Sequence, residues 1–291
     1  MTPDARSWTV AEAAAHLRRP TAADDKYSRG VVGVRTGSDR YPGAAVLGVE
    51  AAHRAGAGMV RYLGPDRATD LVLARRPETV AADGRVQAWV IGSGTDAAHR
   101  APHETAALGA LLAGEVPVVV DAGALDLVPR RSRQAPVVVT PHGSEHARLR
   151  RDAGLAEASG DRVRDAADTA AALGVAVLLK GAETIVATPS GWSRVVTAPT
   201  SWLAAAGTGD VLGGVLGAVV AAASAERTLD AEDLGPLAAT ASLVHGRAAA
   251  RASALRGGGP ITALDVAGAV PLVIGELLSA DAGDAAAQRT E

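Results

Sequence analysis

Residues 205–214 read AAGTGDVLGG and set one carboxylate, Asp210, among glycines at the head of an apolar run. Gly207 and Gly209 leave backbone N–H groups free to face an anion, and a helix beginning there adds the positive end of its dipole. A carboxylate in the first helical turn serves as a plain dipole complement, worth about 0.5–1 kcal/mol. That role needs neither the flanking glycines nor the VLGG that follows. The turn therefore reads as a phosphate site in which Asp210 takes a proton from a substrate hydroxyl. It is not a P-loop, because the Gly-Lys-Ser/Thr ending is missing.

Five further glycine-bearing turns recur along the chain: VRTGSDRYPGAA (34–45), VIGSGTD (90–96), VVDAGAL (119–125), VVTPHGSE (138–145) and LLKGAET (178–184). Lys180 ends an apolar run, either as a surface lysine or as a cation for phosphates. His142 and Glu145 form either a turn with a helix cap, or a ligand contact with a carboxylate that holds a metal-bound water. Asp121 ends a valine run and reads as structural. The histidines at 16, 53, 99, 103, 146 and 245 read as helical or surface positions.

These turns need a scaffold, and the chain supplies an alternating one. Apolar β-type runs at 31–36, 59–63, 88–91, 117–121, 137–140, 175–179, 184–187 and 194–197 interleave with helical stretches at 43–55, 98–112, 145–152, 162–173, 209–223 and 237–252. A last helix is expected at 261–278, broken or kinked at Pro271. Continuous valine runs belong to strands covered on both faces, so the fold class is α/β, with a mostly parallel sheet between helical layers. Ligands in such folds bind at the carboxyl ends of the strands.

Composition narrows the function. The chain has 291 residues, 48% hydrophobic and 21% charged, enough for a full core, and the absence of Phe leaves Val, Leu, Ile and Ala to build it. Its 29 basic and 32 acidic residues give a net charge of −3, which provides no footprint for nucleic acid and no polybasic membrane patch. Without cysteine there are no disulfides, thiolate metal sites or cysteine nucleophiles. The uncharged run 211–225 is shorter than the roughly 20 residues of a membrane span. The first residues lack the apolar core of a signal peptide, and Thr9 with Glu12 fits a capping box. A single domain over 1–291 is expected, with an N-terminal helical extension at 1–25, a flexible tail at 280–291 and a cytoplasmic location.

Taken in order, KYSRGVVGVRTGSDRYPGAAVLGVEAAHRAGAGMV, VIGSGTD, VVVDAGAL, VVTPHGSEHARL, LLKGAETIVA and AAGTGDVLGGVLGAV resemble the ADP/ATP-dependent NAD(P)H-hydrate dehydratase family, within the ribokinase-like superfamily. The likeness runs from about Lys26 to about Leu278. It implies a three-layer αβα sandwich and a repair activity: ADP or ATP phosphorylates the hydroxyl of hydrated NADH or NADPH, and elimination of phosphate restores the cofactor. On this resemblance Asp210 is the catalytic base. Ala44, Ala45, Gly94, His142 and Asp210 contact the hydrate. Lys180, Gly181, Ala182, Glu183, Thr184, Gly207, Thr208 and Gly209 contact the nucleotide, with Glu145 in a magnesium–water shell. The resemblance further implies a homo-oligomer, and a stand-alone form that works beside a separate NAD(P)H-hydrate epimerase in the same cell.

Four places depart from the family pattern. Asp96 stands where a glycine is usual, the turn after His142 reads PHGSE, the first turn reads RTGSDR, and Trp202 occupies a position that tends to be small. Two other readings share the GTGD turn: a ribokinase-like kinase for a hydroxymethylpyrimidine, thiazole alcohol or sugar, and a nucleotide-binding regulator without catalysis.

Overall fold

A computed structural model describes residues 6–129 and 133–287. Nine strands form one sheet: β1 (Arg6–Ser7), β2 (Val31–Arg35), β3 (Met59–Tyr62), β4 (Ala88–Ile91), β5 (Val118–Val120), β6 (Val137–Val139), β7 (Ala176–Leu179), β8 (Glu183–Ala187) and β9 (Ser193–Thr197). Their spatial order is β1-β9-β8-β7-β6-β5-β4-β2-β3, parallel throughout except for β8. Nine helices are described: α1 (Val10–Ala14), α2 (Gly43–Arg54), α3 (Asp66–Arg75), α4 (Pro102–Ala113), α5 (Gly143–Asp152), α6 (Arg162–Leu173), α7 (Thr208–Glu226), α8 (Leu234–Ala254) and α9 (Ala263–Ala287).

Strand alternation divides the core in two. Val32, Val34, Val119 and Val138 pack on one face with α2, α7, α8 and α9. Val31, Val118, Val120, Val137 and Val139 pack on the other with Leu108 and Leu112 of α4, Leu149 of α5 and Ala166 of α6. The result is the expected αβα sandwich. Helix α7 is long and apolar enough to span a membrane by length and composition, yet 67% of its apolar window is buried inside the fold.

Close packing of α2 on α7 brings two of the glycine turns together. A Cβ on Gly214 would stand 2.2 Å from the Gly48 carbonyl oxygen, so only glycine allows this approach. Three expectations need correction. Helix α4 begins at Pro102 rather than near 98, because the residue before a proline is driven to extended backbone, as Ala101 is. Helix α9 runs unbroken past Pro271, which lies on the exposed side of the helix. The tail expected from 280 onward is helical as far as Ala287, and residues 288–291 lie outside the described residues.

Candidate active site

Turns after β2, β4, β5, β6, β7 and β9 share the carboxyl edge of the sheet. Strand order reverses at β2, which has β3 on one side and β4 on the other, the switch point where doubly wound sheets open a crevice. At this edge Asp121, the residue that follows β5, is 3% exposed. It accepts hydrogen bonds from the Ser93 hydroxyl (3.0 Å), the Thr140 hydroxyl (2.8 Å) and the Lys180 ammonium (2.8 Å). The next residue, Ala122, holds φ +47°, a left-handed conformation that a non-glycine residue adopts only where its surroundings enforce it.

Asp210 sits in the first turn of α7. Gly207, with φ +86°, begins that helix, and a Cβ there would stand 2.5 Å from Leu47 Cδ1. The Thr208 hydroxyl closes the preceding loop by donating to the carbonyls of Leu203 and Ala205, both at 2.9 Å. The Lys180 ammonium lies 3.6 Å from the place a Cβ would take on Gly209, so cation and turn are adjacent. Burial, and then repulsion from Asp121, push the Asp210 carboxyl up to about 6, against the opposing influence of Ser93 and the attraction of Lys180. A base poised near neutrality in a partly buried site suits proton abstraction.

Glu145 joins this group. Its Oε2 accepts the His142 N–H at 2.9 Å and lies 3.9 Å from the Lys180 ammonium. Its Oε1 is 3.4 Å from His142 Nε2, so the pair does cap α5 while the imidazole remains largely exposed. Three carboxylates, Asp121, Glu145 and Asp210, thus face one ammonium. An excess of hard oxygen donors over local cations fits magnesium carried in with a nucleotide, which such sites hold through one or two carboxylates and the phosphates. Among the described residues no cluster of three His, Asp or Glu forms an all-protein metal cage.

The other proposed contacts divide between two ends of the crevice. Lys180, Gly181 and Ala182 lead into β8, where Glu183 and Thr184 follow. Arg162 of α6 staples this turn by donating to the carbonyls of Leu179, Lys180 and Glu183. On the far side, Ala44, Ala45 and Gly94 meet at the switch point. Both alanines are buried, and a Cβ on Gly94 would stand 2.5 Å from that of Ala44. Beyond them opens a cleft of about 500 Å³, lined by the β2 and β4 turns and the start of α4. Asp96 faces this cleft without being left as a bare charge: it accepts from His99 Nδ1 at 2.7 Å and from the Ala98 N–H at 3.0 Å.

Three neighbours of this centre have roles that no local sequence pattern shows. Asp121 was legible as the carboxylate that ends VVVD, yet its role depends on Lys180 arriving from 59 residues away. Ser93 lies in a turn whose glycines drew attention instead. His245 is a buried imidazole of α8 that hydrogen-bonds the Thr208 backbone; burial holds it down to about 4, so it braces the turn as a neutral ring.

A pH profile tests the electrostatics. A base held near 6 must be ionised to work, so kcat/KM is expected to rise between pH 5 and 7 with its midpoint near 6. In Asp121→Asn the repulsion is gone and Lys180 is freed toward Asp210, so the midpoint should fall toward the ordinary carboxylate range. An unmoved midpoint would detach Asp210 from the profile.

Sheet order, the lone antiparallel strand and a carboxylate-bearing helix start at the strand ends define an α/β protein of the ribokinase-like class. A ribokinase-like superfamily protein from Enterococcus faecalis shares this fold, with a TM-score of 0.81 at 20% identity over 95% of this chain and 98% of that one. The chain belongs to the NAD(P)H-hydrate dehydratase family, whose sequence profile matches residues 32–271. It is 44% identical over 262 residues, 87% of its length, to the bifunctional NAD(P)H-hydrate repair enzyme Nnr of Mycobacterium leprae, of which the match covers 52%. The chain thus spans about half the length of that relative and of similar bifunctional ones. It is 30% identical to the ADP-dependent (S)-NAD(P)H-hydrate dehydratase of Bacillus subtilis, over 72% of this chain and 79% of that protein. A B. subtilis ADP/ATP-dependent NAD(P)H-hydrate dehydratase crystallised with ATP and Mg2+ superposes with a TM-score of 0.80 at 26% identity, covering 94% of this chain and 99% of that one.

Proposed function

We propose that this protein restores hydrated NADH or NADPH at the expense of ADP or ATP. The observation that carries the reading is Asp210, a carboxylate held near neutrality and set among the N–H groups of the Gly207–Gly209 turn. The hydrate approaches from the switch-point side, past Ala44, Ala45, Gly94 and His142. The nucleotide lies along Lys180, Gly181, Ala182, Glu183 and Thr184, with its terminal phosphate at Gly207, Thr208 and Gly209. Asp210 takes the proton of the ring hydroxyl as its oxygen forms the bond to phosphorus and the donor's phosphoanhydride bond breaks. Hydroxide is a poor leaving group and phosphate a good one. The carbon–oxygen bond then breaks with its electron pair leaving on phosphate, the neighbouring carbon loses a proton to water, and the ring double bond returns. With ADP the balance is hydrate plus ADP giving cofactor, AMP and phosphate.

Lys180 and the turn's N–H groups stabilise the charge moving onto the transferred oxygens. Magnesium would supply further neutralisation there, with Glu145 the residue placed to hold its water. A cytoplasmic homo-oligomer acting alongside an NAD(P)H-hydrate epimerase completes this reading.

The test follows near-ultraviolet absorbance as purified protein meets hydrated NADH with magnesium and either ADP or ATP. Nucleotide-dependent recovery with release of free phosphate is expected. A stable phosphoester without recovery would identify a small-molecule kinase instead.

A further inference from the structure

We propose that Trp202 is the face on which the purine ring of the donor nucleotide stacks. The inference rests on the nucleotide reading above and concerns a residue that this reading leaves without a role. Trp202 lies in a short 3₁₀ turn, Ser201–Leu203, within the segment that leaves β9 and ends at Gly207. The last residue of β9, Thr197, pairs with Glu183 across the β8 ladder. The segment therefore joins the two parts proposed to hold the nucleotide, the β7–β8 turn and the phosphate turn. A nucleotide spanning them passes along it.

The indole is fixed but uncovered. Its Nε1 donates to the Gly258 carbonyl at 2.9 Å, which satisfies its one polar group, and its backbone N–H is capped by the Thr200 hydroxyl at 3.3 Å. Yet Trp202 is 45% exposed. The other tryptophans are packed. Trp8 stacks on His16 and meets Trp192 edge-on, and Trp89 is 7% exposed. Around Gly257 and Gly258 the Cβ positions meet nothing within 4 Å, so the loop that anchors the indole is itself uncovered. An oriented aromatic face with its polar edge already bonded is the geometry that base stacking uses.

The hydrate's own ring is the less suitable occupant. On the reading above it meets Ala44, Ala45 and Gly94 at the switch point, where a Cβ on Gly94 would stand 2.5 Å from that of Ala44. Trp202 is instead tied to the loop that follows α8.

Calorimetric titration with ADP, then ATP, tests the proposal in wild type, Trp202→Ala and Trp202→Phe. An aromatic–base stack of ordinary strength predicts affinity weakened about tenfold in Trp202→Ala and held within about threefold in Trp202→Phe. Steady-state assays of Trp202→Ala should show a raised KM for the nucleotide and an unchanged KM for the hydrate. Tryptophan emission of the wild type should respond to ADP, and the response should vanish in Trp202→Phe. Unchanged nucleotide affinity in a folded Trp202→Ala would overturn the stack, and a raised hydrate KM alone would place the indole against the nicotinamide ring. If the wild type binds neither ADP nor ATP, the donor reading itself falls, and the stack with it.

Discussion

Asp210→Asn is expected to lower turnover by about 10²-fold or more, the scale of losing a positioned base, and at the same time to make the protein more stable at pH 7 to 8. The first half follows from chemistry, since an amide cannot take the hydroxyl proton. The second follows from the carboxyl's own environment. Its pKa is raised from 3.8 to about 6, so folding favours the protonated form. That favourable contribution is complete below the unfolded value near 3.8 and is lost as pH rises through about 6. Above pH 6 the ionised carboxylate costs the fold up to about 3 kcal/mol, at 1.36 kcal/mol for each pKa unit. Asparagine keeps the shape and removes that cost.

Thermal melts at pH 7.5 should therefore show Asp210→Asn a few degrees above wild type, with the difference vanishing near pH 4, where both side chains are neutral. ADP affinity should stay within a few-fold, because the Gly207–Gly209 amides are untouched. Activity near that of wild type would remove Asp210 from the base role. Loss of activity together with lost stability would mean that the carboxylate holds the turn together.

How much of this was legible in the chain depends on the range of each interaction. Val119 and Val138 announce buried strands through a local run of one residue type, and β5 and β6 appear where that run predicts. Helix α3 escaped notice because only Ala68 and Val72 of it are buried. It is tied down instead by charge: Arg75 and Arg76 at its end converge with Arg54 on buried Glu50 of α2, a contact between segments some 25 residues apart. Strand β1 spans two residues whose pairing with β9 bridges most of the chain, and no local pattern encodes that.

The site divides in the same way. Gly207, Gly209 and Asp210 are neighbours in sequence, so their joint purpose is visible there. Asp121, Ser93 and Thr140 become one hydrogen-bonded group only once β4, β5 and β6 lie side by side. Asp96 stands where a glycine is usual, and His99, three residues on, pairs with it.

Lys180→Met is expected to damage stability and catalysis together. Asp121 is 3% exposed, and the Lys180 ammonium at 2.8 Å is the cation that meets it. Removing one partner of a buried pair leaves the other charge stranded; because Lys180 retains 21% exposure, roughly 2–4 kcal/mol is a fair expectation rather than the full 3–5. The attraction that moderates Asp210 also disappears, so the midpoint of the pH profile should climb above 6 and part of the base would be protonated at pH 7. On the proposed reading the transferring phosphate loses the Lys180 cation as well. Together these effects should lower kcat/KM by about 10²–10³-fold.

The double variant Lys180→Met/Asp121→Asn separates the causes. Replacing both partners removes the stranded charge, so melting temperature should recover most of its loss, a non-additive result typical of groups in direct contact. If turnover stays low in that stable double variant, Lys180 acts on the phosphates in its own right. If turnover recovers with stability, the lysine serves only to hold Asp121, and the cation at the transferring phosphate must come from elsewhere.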